Sequence, residues 1–101
     1  MTTETEVREA LKKVVDPELN LNIVDLGLIY EVHLEEEGKV KIVMSLTSPG
    51  CPYGPQLLGE AKSTVAKIEG VKEAAIQLSF NPPWTPKMAS EEIQAMFEQY
   101  L

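Results

Sequence analysis

Hydrophobic residues recur with helical spacing in three segments of the chain and alternate with polar residues in three others. The helical stripes are Val7, Leu11, Val14 and Val15, then Leu57, Leu58, Ala61, Val65 and Ile68, and last Ile93, Met96, Phe97 and Leu101. Such stripes predict amphipathic helices that pack one side on a core. Thr3 and Glu6 form a candidate capping box that starts the first helix, which is predicted over residues 3–15, and Ser90 can cap the last.

The alternating segments predict strands with one buried face. Their apolar faces are Leu28, Tyr30, Val32 and Leu34, then Val40, Ile42, Met44 and Leu46, and last Ala74, Ile76, Leu78 and Phe80. Gly38 allows a turn between the first two strands, so we predict an antiparallel hairpin. The third strand follows a helix, which favours a right-handed crossover and parallel pairing with the second strand.

Prolines and glycines mark the ends of these elements. Asp16 precedes Pro17 and is therefore disfavoured in a helix, so residues 16–25 are predicted to be a connecting loop. Gly70 ends the second helix, and the three prolines within residues 81–86 end the third strand. The order helix, strand, strand, helix, strand, helix predicts a small α+β fold, with helices packed mainly on one face of a three-stranded mixed sheet. Residues 1–101 are predicted to form a single domain.

The charge of the chain is strongly acidic and unevenly distributed. Its 16 acidic and 9 basic residues give a net charge of −7, which argues against nucleic acid or an anionic membrane surface as a partner. Residues 1–37 hold 10 acidic and 3 basic residues, so the excess lies in the first third of the chain. This third is a candidate for binding a basic protein or a metal, and a solvated acidic surface is the common alternative.

Cysteine usage and hydropathy bear on the compartment. A single cysteine excludes an internal disulfide and favours a reducing compartment, so we predict a cytoplasmic protein. Residues 1–15 are acidic and lack the apolar core of a signal peptide. The longest uncharged stretch, residues 42–59, is interrupted by prolines and glycines and is not expected to span a bilayer.

The segment with the most distinctive chemistry is Thr47-Ser48-Pro49-Gly50-Cys51-Pro52. If Pro52 is the first residue of the following helix, Cys51 is its N-cap, and the helix dipole then favours a thiolate that is a good nucleophile and metal ligand. Gly54-Pro55 offers a rival start one turn later, which would leave Cys51 in the loop. A small buried cysteine is the alternative role.

For four other side chains, a structural role is a simpler interpretation than a functional one. His33 lies between Glu31 and Glu35 on the polar face of the first strand and is predicted to be solvated. Trp84 lies in a proline-stiffened turn and is expected to cover the edge of the core, with a partner-facing role as the alternative. Met44 and Met96 fall on apolar stripes and are predicted to lie in the core.

Four sequence blocks together resemble the SufT/PaaD-type metal-sulfur cluster biosynthetic family. They are Asp16-Pro17-Glu18, the run IVDLGLIY at 23–30, the run LTSPGCP at 46–52, and the run PPWTP at 82–86 followed by Met88 and Ser90. The resemblance implies an α+β fold and a role in assembling or delivering iron-sulfur clusters. It also implies that Cys51 is the reactive, metal-binding cysteine and that the cofactor region is lined by Asp16, Glu18, Asp25, Thr47 and Ser48.

The number of cysteines limits how a protein of this family could bind a cluster. A cluster usually takes four cysteine-type ligands, and this chain offers one, so we expect a transient iron ion or cluster shared between chains. The second chain would be another copy in a homodimer, or an iron-sulfur scaffold or client protein. We expect a carrier or adaptor and no enzyme.

Three alternatives stay open. One is a PaaD-type accessory protein of a phenylacetate-degradation hydroxylase complex, although that type carries a cysteine-bearing C-terminal extension that this sequence lacks. The second is a thiol-dependent enzyme with Cys51 as nucleophile and Asp25 or His33 as base. The third is a pure interaction module in which the proline-rich loops and Trp84 bind a protein and the thiol is incidental.

Overall fold

The computed structural model describes residues 2–47 and 52–100, with the side chains of the last helix described as far as residue 97. The elements in chain order are α1 (Glu4–Leu11), β1 (Val15–Asp16), β2 (Leu21–Asn22), β3 (Ile29–Leu34), β4 (Lys39–Met44), α2 (Gly54–Ala66), β5 (Glu73–Leu78) and α3 (Glu91–Tyr100). Short 3-10 turns occupy Glu36–Gly38 and Pro86–Met88. This is the α+β architecture that the sequence predicts.

The main sheet has the strand order β3-β4-β5 and is mixed, as predicted. β3 and β4 form the expected antiparallel hairpin, with Leu34 opposite Val40. Its turn places Glu37 and Gly38 at positive φ. β4 and β5 run parallel in one continuous register from Lys39 opposite Glu73 to Met44 opposite Leu78.

The alternation predicted for the edge strands holds only in part. β3 has an irregularity between Ile29 and Glu31, so that Leu28 and Ile29 are both buried although the sequence pattern assigned them to opposite faces. Leu34 and Leu78 were predicted to be buried but are exposed. Each lies on an edge strand of the sheet, and an edge strand has a neighbouring strand on one side only.

The first helix is shorter than predicted. It starts as expected, since the hydroxyl of Thr3 accepts a hydrogen bond from the backbone N–H of Glu6. It ends at Leu11, and Val15 is 39% exposed where the helical stripe predicted burial. The reason is that residues 15–16 pair with residues 21–22 as a two-stranded ribbon, which also gives structure to the predicted loop of residues 16–25.

The second helix starts at the later of the two sites that the sequence offers. It begins at Gly54 with Pro55 in its first turn, and Tyr53 occupies the N-cap position, so the interpretation with Pro52 as first helical residue is wrong. Gly54 fits closely against the core, because a Cβ added there would lie 2.8 Å from Leu46 Cδ1. Cys51 itself lies outside the described residues.

The core lies between the sheet and the first two helices. Its buried apolar side chains come from α1 (Val7, Leu11), from α2 (Leu57, Ala61, Val65), from β4 (Val40, Ile42, Met44) and from the turn that precedes β3 (Ile23, Leu26, Leu28). α1 and α2 also pack on each other, which places both on the same side of the sheet.

The last helix is attached at its start. The hydroxyl of Ser90 accepts a hydrogen bond from the N–H of Ile93, as predicted, and Ile93 is buried. Met96 was predicted to lie in the core but is 40% exposed, because the helix turns Ile93 and Phe97 towards the core instead.

Residues 81–88 pack on the turn that precedes β3 and are held there by hydrogen bonds. The indole N–H of Trp84 donates to the carbonyl of Leu26 (2.6 Å), and the hydroxyl of Tyr30 donates to the carbonyl of Pro82 (2.8 Å). A side chain at Gly27, which has a φ of +82°, would collide with the carbonyl of Met88. Trp84 is half-buried and therefore covers the edge of the core, as expected.

Over the described part of the chain, no helix combines the length and the apolar character that crossing a membrane requires.

Candidate functional site

Asp16 is the buried centre of the candidate site. It ends β1, and its side chain is 1% exposed. Its Oδ1 accepts hydrogen bonds from the backbone N–H groups of Glu18 (2.9 Å) and Leu19 (3.1 Å). These bonds close the turn that joins β1 to β2 and so shape the β1-β2 hairpin of residues 15–22. They form because an aspartate side chain can accept from the N–H groups two and three residues ahead.

Tyr53 joins this hairpin to the start of α2. Its phenol oxygen lies 3.0 Å from Asp16 Oδ1 and 3.0 Å from Glu18 Oε2. A phenol has one proton, so its hydroxyl donates to one carboxyl oxygen at a time. The two acids from a strand end and a turn are therefore held together by a side chain from the N-cap of a helix.

The two acids differ in their access to solvent. Glu18 is exposed, whereas Asp16 is buried and its Oδ1 already accepts from three donors. A small cleft of about 50 Å³ opens beside them and is lined by Val15 and Pro17 of the hairpin and by Tyr53, Gln56, Leu57 and Glu60 of the α2 region. Glu18 is the carboxyl group of this pair that can reach a ligand without breaking the turn.

Asp25 lies in a separate group of hydrogen bonds. Its Oδ2 accepts from the side-chain amide of Asn22 (2.8 Å), and its carbonyl accepts from the N–H of Ser90 (2.8 Å). It is also close enough to Lys12 to contribute to the raised pKa of that amine, although the hydrogen bond and the charge of Glu9 are the larger causes. Among the described residues, no hydrogen bond joins Asp25 to Asp16 or Glu18.

The remaining predicted site residues follow β4 in the sequence. Thr47 is half-buried and follows the buried Leu46, and Ser48 and Cys51 lie outside the described residues. Cys51 precedes Tyr53 by two residues in the sequence. Within residues 2–47 and 52–100, no three His, Cys, Asp or Glu side chains form a group able to hold a metal.

His33 is exposed, as predicted, and lies away from this hairpin. Its Nε2 is 2.9 Å from Glu31 Oε1, and its neighbour in the sheet is Lys41. These surroundings are those of a solvated side chain on the open face of the sheet.

Two residues of the site are not evident from the sequence pattern. Tyr53 belongs to no stripe, and only the tertiary structure brings it to Asp16. The side-chain oxygen of Asn22 accepts from the N–H groups of Val24 and Asp25, so Asn22 organises the turn that carries Asp25. An asparagine three residues before an aspartate is the one signal that could have indicated this turn.

The fold is that of a small α+β domain that solved structures share. A domain of unknown function from Bacillus anthracis is 32% identical, superposes with a TM-score of 0.88, and is matched over 94% of this chain and 91% of that one.

The family model for the iron-sulfur cluster assembly protein matches residues 4–78, and the chain belongs to this family. The Fe-S protein maturation auxiliary factor YitW of Bacillus subtilis is 47% identical over 75% of this chain and 74% of that protein. The Fe-S protein maturation auxiliary factor SufT of Staphylococcus aureus is 43% identical over 76% of this chain and 88% of that protein. The family assignment made from the four sequence blocks is confirmed.

Proposed function

We propose that this protein is a SufT-like, non-enzymatic factor for iron-sulfur cluster assembly or delivery, with Cys51 as the ligand of a transient iron ion or cluster. The observation that carries the proposal is the contact of Tyr53 with Asp16 and Glu18. It holds the exposed carboxyl group of Glu18 at Tyr53, which follows the single cysteine by two residues in the sequence. The names of the two maturation factors described above support the same role.

Cys51 supplies one ligand, and the rest of the coordination sphere comes from elsewhere. A cluster takes about four ligands, and thiolates are the ones it prefers. Because one chain has a single cysteine, the cargo is shared with a scaffold or client protein at the moment of transfer. An incomplete ligand set suits a carrier, since a closed cage of four ligands would retain the cargo.

The acids have different roles in this proposal. Asp16 is a positioning residue, because its buried carboxyl group closes the hairpin turn and accepts from Tyr53. Glu18 is the exposed group and is offered to iron as an oxygen ligand beside the thiol. Thr47 and Ser48 flank the other end of the same segment, and Asp25 acts through the turn that it forms with Asn22.

The partners are iron-sulfur scaffold and client proteins in the cytoplasm. The acidic first third of the chain, which includes the hairpin, favours partners with a basic surface around their cluster site.

Anaerobic reconstitution with ferrous iron and sulfide tests the proposal. We expect the native protein to develop cluster absorption and Cys51→Ser to lose it while keeping the native circular dichroism spectrum. Glu18→Gln should weaken iron retention severalfold, and Glu60→Gln is its matched control, since Glu60 is also exposed and lines the neighbouring cleft.

The client side of the proposal needs a measurement in cells. Cys51→Ser should lower the activity of iron-sulfur enzymes without lowering the amount of their polypeptides. Normal maturation in that variant would refute the role of the cysteine. An absence of cluster absorption with impaired maturation would favour an adaptor over a carrier.

A further inference from the structure

The two edges of the main sheet differ in their protection against pairing with another strand. β3 has an irregularity between Ile29 and Glu31, carries the exposed charged group of Glu31, and leads into three glutamates at 35–37. Sheets use such bulges and charges to keep other strands away from an edge. β5 has no such irregularity, and apart from Glu73 at its start it carries no charge, since residues 74–86 contain no charged side chain.

The outer edge of β5 has backbone groups that β4 does not use. The N–H of Ser79 donates to the carbonyl of Met44 (2.8 Å) and so points towards β4. Because backbone directions alternate along a strand, the groups of Gln77 and Ala75 also point inwards, and those of Ala74, Ile76 and Leu78 point outwards. The strand therefore directs three N–H groups and three carbonyls away from β4 along an edge with no charged residue from Ala74 to Leu78, where Leu78 is exposed, Ile76 is half-buried and Ala74 is buried.

We propose that two copies of this chain pair through β5, antiparallel, about a two-fold axis at Ile76. In this register Ile76 faces the partner's Ile76, and Ala74 faces the partner's Leu78. All three outward-pointing residues then form hydrogen-bonded pairs, which close six backbone hydrogen bonds. The two three-stranded sheets become one continuous sheet.

The strand complements itself in size and charge, which identifies a second copy as the occupant. Leu78 is 38% exposed on the core face of the sheet and would lie opposite the small Ala74 of the partner, which its own chain already buries. Glu73, the only charged residue of β5, would face the partner's Ser79, so no like charges meet. Isologous pairing of this kind closes on itself and leaves no further edge of β5 for other chains.

The dimer has a consequence for the cargo site, which rests on the proposed function although the dimer does not. β4 runs parallel to β5, so the two copies of β4 run in opposite directions and deliver their chains to opposite ends of the joined sheet. Each Cys51 segment therefore starts from a different end. In the proposed dimer this arrangement favours two separate cargo sites over one site shared by both copies.

A charge exchange on the exposed face of β5 tests the register. Ala75 and Gln77 are exposed, and in the proposed dimer each faces the other residue of the partner. The variant A75E/Q77E places like charges opposite each other twice, whereas A75K/Q77E places opposite charges there twice. Cross-strand pairs of this kind should make the dimer dissociation constants of the two variants differ by about tenfold or more, with A75K/Q77E the tighter.

Sedimentation velocity of the full chain at increasing concentration gives these constants, and circular dichroism checks that the variants fold. A native protein that stays monomeric at millimolar concentration overturns the proposal. So does a dimer with equal affinity in both variants, because it must use another surface.

Amide hydrogen exchange of the native protein gives a second test that needs no variant. The N–H groups of Ile76 and Leu78 should exchange quickly in dilute samples and become protected as the dimer forms. The N–H of Gln77, which belongs to the intramolecular ladder, is protected at all concentrations. Rapid exchange of Ile76 in a sample that sedimentation shows to be dimeric overturns the proposal.

Discussion

Replacing Asp16 with alanine should destabilise the whole domain, because one buried oxygen organises both the hairpin and its contact with α2. The substitution removes the acceptor of three hydrogen bonds, from the N–H groups of Glu18 and Leu19 and from the hydroxyl of Tyr53. At about 1 kcal/mol for each bond, the free energy of unfolding should fall by about 3 kcal/mol. In a domain of this size that corresponds to a loss of at least about 12 °C in Tm.

The measurement is thermal and urea unfolding followed by circular dichroism. Asp16→Asn is the conservative variant, since it keeps an acceptor oxygen at the same place, and it should lose less than half as much. Glu18→Ala is the matched control for the loss of a carboxyl group from the same hairpin. Because Glu18 is exposed, its removal should cost less than about 1 kcal/mol.

Equal losses in the Asp16→Ala and Glu18→Ala variants would refute this reasoning. They would mean that the turn holds its shape without the buried acceptor. The assignment of Asp16 as a positioning residue and Glu18 as an accessible ligand would then lose its basis.

Four further substitutions probe the fold and its electrostatics. Gly27→Ala should cost more than about 2 kcal/mol because its side chain would meet a backbone carbonyl, whereas Gly59→Ala, with open space around it in α2, should stabilise by up to about 1 kcal/mol; urea unfolding compares them. Thr3→Ala should lower the free energy of unfolding by about 1 kcal/mol through loss of the N-cap of α1, and an unchanged Tm would contradict that role. The hydrogen bond and charge of Glu9 raise the pKa of Lys12, so Glu9→Gln should lower that pKa in an NMR titration, and the native pair should weaken only as the pH rises through the pKa of the amine.

The central hairpin and the following strand could be predicted from the sequence because their signals are local and strong. Alternation around Gly38 specified the β3-β4 pair, and the intervening helix specified the parallel β5. The N-caps at Thr3 and Ser90 could also be predicted. Each needs only a side-chain hydroxyl that accepts a hydrogen bond from the backbone N–H three residues later.

The ends of the helices could not be fixed in the same way. The stripe from Val7 continues to Val15, but pairing of residues 15–16 with residues 21–22 takes Val15 out of the helix. Pro52 and Pro55 are equally good first-turn residues in the sequence, and only the structure shows that the helix starts at Gly54, which packs closely against Leu46.

The chemistry of the candidate site divides along the same line. Composition by itself determines that the chain has a single thiol, and the chain order alone determines that it lies between β4 and α2, because these properties need no folding. Only the tertiary structure brings Asp16 and Glu18 to the hydroxyl group of Tyr53, and it pairs Asp25 with Asn22 instead. A side-chain contact between residues 35 or more apart depends on how the hairpin and α2 pack on the same core, and no local pattern encodes that packing.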